Sequence, residues 1–227
     1  MAFTPKPGEQ YTIRRKILKL FGSAFHVYNN EPRVIGYCKQ KSFKLKEDIR
    51  IYTDESMSQQ LVQINARSII DFGATYDVSD ASGHVVASLR RKGLKSTFLR
   101  DEWMLFDSTG LQVAILREES AWHGFVRRTV ELAAVLLPQK FDLIRSDGEK
   151  IAKFRQHMNP FVYRLGISIN DEATSLATMK RCPKCNYEWL QQPKCPECGT
   201  PRSNDKIDHL SILAAATLVA IIESRQG

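Results

Sequence analysis

The chain has 227 residues, enough to bury a core of its own. Its 43% hydrophobic and 26% charged residues exclude a disordered or fibrous chain and suit one large domain with a small appendage. The net charge of +8 is uneven: residues 1–46 hold ten Lys or Arg against Glu9 and Glu31, so this segment alone carries the whole excess. A one-sided positive field favours anionic lipid headgroups, nucleic acid or acidic proteins, although a solvated basic surface can also serve solubility alone.

Met1–Gln10 is polar and proline-containing, with no apolar stretch, so no secretory signal is expected. From Tyr11 to about Ile169 short alternating runs are broken by turn signals at the spacing of an all-β barrel or sandwich. The pattern predicts strands over 11–18, 24–29, 34–41, 49–53, 61–66, 74–80, 85–91, 101–106, 111–118, 140–144, 150–155 and 161–169. In the turns Asp80-Ala81-Ser82-Gly83, Asp107-Ser108-Thr109-Gly110 and Ser146-Asp147-Gly148, glycine stands where a positive φ is needed. Residues 121–137 read as a helix that stops at Pro138, with Phe125, Val130, Ala133 and Leu137 on one stripe.

The last apolar run, Ile212–Ile222, has eleven residues with Thr217 as its sole polar member, and Asp208 stands ahead of it as an N-cap. As a helix it spans about 16 Å, roughly half of a bilayer's ~30 Å hydrocarbon core. A helix apolar on every side and too short to span a membrane is a buried one. A barrel of about twelve strands has a lumen wider than its own side chains fill. An Ala-rich helix suits that space, so the expected fold is mainly β: a closed barrel around a buried C-terminal helix at about 209–223.

Between the last strand and that helix lies Cys182-Pro183-Lys184-Cys185, then nine residues, then Cys195-Pro196-Glu197-Cys198. Two Cys-x2-Cys turns offer four thiolates to one tetrahedral metal, and Gly199 and Asn186 supply the residues that follow such turns. Disulfides and iron are competing readings, and intact thiolates require a reducing compartment. Because cysteine fills all four positions, a Zn2+ here is structural, forming a zinc ribbon inserted over 181–202. Tyr187 and Trp189 at its tip either shield the metal and dock on the barrel or form a partner-binding face.

Nucleotide-binding, nucleophile-elbow and zinc-protease motifs are absent from the sequence. The five histidines are scattered, the aspartates gather at turns, and Cys38 sits in an alternating strand as a small buried hydrophobe. No catalytic residue is expected, and the chain reads as a non-enzymatic binding module.

The stretches YTIRRKILKL, QKSFKLKEDIRIYTD, YDVSDASGHVVASLRRK, FDLIRSDGEKIAKF and HLSILAAATLVAIIE resemble the Tubby C-terminal-like superfamily over roughly 9–222. Within it the chain is similar to LURP-one-related proteins and, more distantly, to phospholipid scramblases. The cysteine segment and the length of 121–137 depart from that pattern, and no proline-rich N-terminus or calcium-binding loop corresponds to a scramblase's.

The resemblance implies that the basic N-terminal strands meet anionic phospholipid headgroups at a membrane surface. The candidate anion-binding residues are Arg14, Arg15, Lys16, Lys39, Lys41, Lys44 and Lys46. A regulatory scaffold contacting a protein partner through the zinc ribbon is the alternative. Nucleic-acid binding is disfavoured because 181–202 holds only Arg181, Lys184, Lys194 and Arg202 as cations, without a basic-aromatic stripe. Scrambling is disfavoured because the apolar helix is better used inside the barrel. The expected location is cytoplasmic, with peripheral membrane association and no transmembrane segment.

Overall fold

The computed structural model describes residues 6–16, 23–40, 48–67, 74–92, 102–119, 138–157, 159, 162–170, 180–181, 184–185, 188–189, 197–198, 207 and 209–223. The helix expected over 121–137 lies outside the described residues. Alternating apolar residues form β1 (Tyr11–Lys16), β2 (Ser23–Asn29), β3 (Val34–Gln40), β4 (Asp48–Tyr52), β5 (Gln60–Ala66) and β6 (Thr75–Ser79). The wall continues through β7 (Val85–Arg91), β8 (Glu102–Asp107), β9 (Gln112–Glu118), β10 (Lys140–Arg145), β11 (Lys150–His157) and β12 (Val162–Ile169).

These twelve strands form a closed antiparallel barrel in which each strand pairs with its neighbours in sequence and β12 returns to β1. Period-two alternation follows from one wet and one dry face. The lining row runs through Ile13, Phe25, Cys38, Ile51, Val62, Val78, Leu89, Leu105, Leu116, Leu143, Phe154 and Leu165, all 4% exposed or less. Closure leaves no free sheet edge.

Turn chemistry sets one end of the barrel. Gly83, Gly110 and Gly148 have φ of 84°, 83° and 93°, the left-handed conformation that glycine adopts without a Cβ clash. In the first two turns an aspartate locks the loop. Asp80 Oδ1 accepts from the amides of Ser82 and His84, and Asp107 Oδ1 accepts from those of Thr109 and Leu111.

The lumen is filled by α1 (His209–Glu223), which touches β1 and β12 on one side and β5 and β7 across the barrel. Ile212, Ala214, Ala216, Thr217, Leu218, Ala220 and Ile221 are fully buried. Small alanines let the helix backbone approach the wall, while Leu and Ile fill the remaining space. Its 15 residues make a rod of about 22 Å. No helix among the described residues is long and apolar enough to cross a membrane. Tyr11 Oη and His209 Nδ1, 2.9 Å apart, tie the start of the helix to β1.

If α1 is the core, Leu218→Ala should cost about 2–5 kcal/mol, the range for a truncated buried leucine. Lys153→Ala on the exposed wall should stay within about 0.5 kcal/mol. Urea unfolding of both variants measures this, and equal midpoints would contradict a packed lumen.

Candidate functional site

Many charges of the outer wall are paired, within a strand or turn or across to a neighbouring strand. Arg50 pairs with Asp48 at 3.0 Å, and Arg67 pairs with Asp77 at 2.6 Å. Lys92 and Arg117 hold Glu102 from both sides at 2.7 and 2.5 Å. Burial pushes the Glu102 carboxyl up, but the hydrogen bonds and charges of these two cations together hold it below its usual range. Lys150 and Arg155 share Asp142, and Arg145 is held by Asp147 and Glu149.

The face formed by β12, β1, β2 and β3 brings basic residues together in register. Register places Arg14 opposite Arg164 on β12 and opposite His26 on β2, with His157 of β11 opposite Arg164. Directly opposed side chains on adjacent strands have Cβ atoms about 5 Å apart, and like charges there repel. The row His157–Arg164–Arg14–His26 sets two arginines at its centre with a histidine at each end. Lys39 stands exposed on β3 opposite the small Ala24. The four adjacent strands thus carry a basic strip.

Two carboxylates flank the strip. Glu55 Oε1 lies 2.6 Å from His26 Nε2. Glu9 Oε1 lies 2.5 Å from His157 Nε2, and Glu9 Oε2 accepts from Thr12 Oγ1 and from the Lys6 amide. Glu9 lies against Gly166, where an added Cβ would come within 1.8 Å of its Oε1. Gln10 fastens the same strap, its side-chain amide exchanging hydrogen bonds of 2.9 and 2.8 Å with the backbone of Ile169.

The candidate cations therefore separate. Arg14 is on the outer strip, whereas Arg15, opposite Phe25, shares the lining face, with its guanidinium 5.8 Å from the Phe25 ring centre. Arg91 takes a similar position over Trp103 at 5.6 Å. Lys16 ends β1, with its side chain outside the described residues, and Lys41, Lys44 and Lys46 lie outside them altogether. Arg164 and His157 were not among the sequence candidates. Alternation alone puts Arg164 outward, but its position opposite Arg14 depends on barrel closure.

Cys38 is 1% exposed, and burial pushes its thiol up to about 12 against a weaker lowering by a backbone hydrogen bond from Arg50. A thiol so held is not a nucleophile at neutral pH. At the end of the tight turns, a cleft of about 240 Å³ is bordered by Val85, Leu105, Phe106, Val113, Ile207 and Ser211.

The cysteine segment contributes a small hairpin, β13 (Lys180–Arg181) against β14 (Glu188–Trp189). Cys185 and Cys198 each sit in a turn, whereas Cys182, Cys195, Tyr187 and the Trp189 side chain lie outside the described residues. Among the described residues no three His, Cys, Asp or Glu side chains converge as a metal site.

A family model described as LURP-one-related matches residues 34–170, more than half of the chain. The chain belongs to the LURP-one-related family. Its twelve-stranded barrel is consistent with the Tubby-like superfamily. The match covers β3 to β12, so β1 and β2, which close this family member's barrel and carry Arg14 and His26, lie outside the matched span. No curated protein matches the chain.

The Glu9 contact yields a test. Gly166→Ala should cost about 1–3 kcal/mol, the range for overpacking, because the new methyl displaces Glu9 from His157. The same change in a Glu9→Ala background should cost less than about 0.5 kcal/mol. Chemical unfolding of the four proteins completes the cycle, and additive losses would show that Glu9 is not the obstacle.

Proposed function

We propose that this LURP-one-related barrel is a non-enzymatic module that binds anionic phospholipid headgroups at a membrane surface. The supporting observation is the opposition of Arg14 and Arg164 across β1 and β12, on the face that also exposes Lys39. Two arginines brought opposite each other by register give one place where a single anion can meet both. Arginine's planar fork suits a phosphate or carboxylate through two parallel hydrogen bonds. Membership in a family associated with lipid-related binding points the same way, and such barrels are generally non-enzymatic.

The strip acts through charge and position, with no bond made or broken. An anionic bilayer draws basic residues to its surface at about 1 kcal/mol each. Lys39 extends the cationic area of this face, whereas Arg15 lies on the lining face with its guanidinium over the Phe25 ring. This interaction is electrostatic, so it weakens as salt shortens the Debye length from ~10 Å at 0.1 M to ~3 Å at 1 M.

Cosedimentation with phosphatidylserine-containing vesicles at low and high salt tests the reading. The chain should pellet with anionic vesicles at low salt and be released at high salt. Arg14→Ala/Arg164→Ala should weaken binding roughly thirtyfold, the equivalent of two lost surface cations. Arg67→Ala/Lys92→Ala removes the same charge from the matched wall and should change binding only a few-fold. Absence of binding at low salt, or equal loss in both double variants, contradicts a localised site and favours a protein-interaction scaffold.

A further inference from the structure

We infer that the crossover from β12 to α1 carries a tetrathiolate zinc centre whose ligands are Cys182, Cys185, Cys195 and Cys198. Three observations support this independently of lipid binding. The first is the sequence: two Cys-x2-Cys pairs separated by nine residues, the spacing with which two tight turns grip one tetrahedral ion.

The second is the hairpin. Lys180 pairs with Trp189 and Arg181 with Glu188, and the sequence between these paired ends holds Cys182 and Cys185. Strands of two residues each make a ladder too short to stand by itself. So short a ladder gains from a staple, and four cysteines within seventeen residues provide one.

The third is exposure. Cysteine is among the residues most often buried, as Cys38 is here at 1%. Cys185 is exposed and Cys198 half-buried, each within a turn. Turn cysteines outside the core fit a ligand role, since knuckle turns present sulfur to a metal rather than to packing.

On binding, each thiol releases its proton and zinc exchanges its waters for four sulfurs, with no change of oxidation state. The ligand set is closed, so the ion is structural and not a Lewis acid for a substrate. Its mechanical place follows from topology. The chain leaves the wall at the end of β12 and enters the lumen at α1, and the cross-linked segment lies between them. The ion shortens this connection and lowers the entropy lost in seating the helix.

Metal analysis of the full chain purified under reducing conditions tests the inference. One zinc per chain is expected, and a mercurial reagent should release it as the four ligand thiols titrate. Cobalt substitution should give thiolate-to-metal charge transfer and the intense visible bands of a tetrahedral site. Cys182→Ser/Cys185→Ser should lose the metal and Cys38→Ala should retain it. The wild-type mercurial and cobalt measurements decide the matter even where the double variant does not fold. Less than about 0.2 zinc per chain with four titratable thiols, bound iron, or disulfides among these cysteines would overturn it.

Discussion

A closed wall of twelve strands encloses more space than its own side chains fill, and this constraint governs the molecule. Helix α1 meets it with an apolar surface on which the alanines are buried and Ile212, Leu218 and Ile221 are completely so. The inner face of every strand is thereby committed to packing. Opposite walls touch one rod, so the barrel holds its cross-section and fixes the register between strands distant in sequence. That register creates the basic strip, because Arg14 and Arg164 are neighbours only in a closed barrel.

With the interior committed, chemistry is left to the outer wall and the ends. Most of that wall is electrically matched, and exposed pairs such as Arg67–Asp77 contribute modestly to stability while lowering the local field. The β12–β3 face brings Arg14 and Arg164 side by side. Its flanking carboxylates, Glu9 and Glu55, are engaged by His157 and His26. The opposition of two arginines is thus a positional property here, set by barrel closure.

The strands and the plug were legible because their signals are local. Alternation in segments such as YRLGISI, the three Asp- and Gly-containing turns, and the uninterrupted run Ile212–Ile222 each carry their own evidence. The site was legible only in part. The excess charge of residues 1–46 pointed to the face on which Arg14 and Lys39 stand. It gave no sign that Arg15 shares the lining face with Phe25 or that Arg164, 150 positions from Arg14, completes the strip. Contacts of that separation, including Glu9 with His157 and Gly166, arise from closure and leave no periodic trace. The cysteine spacing is the opposite case, a chemical signature readable without any fold.

The central claim is that anion binding belongs to one wall and not to the basic chain as a whole. Amide chemical-shift mapping of the full chain, titrated with phosphatidylserine nanodiscs, tests it most directly. The account predicts perturbations concentrated at Arg14, His26, Lys39 and Arg164, with the matched wall around Arg67, Lys92 and Glu102 unchanged. Perturbations spread evenly over both walls, or centred on the matched one, would contradict it.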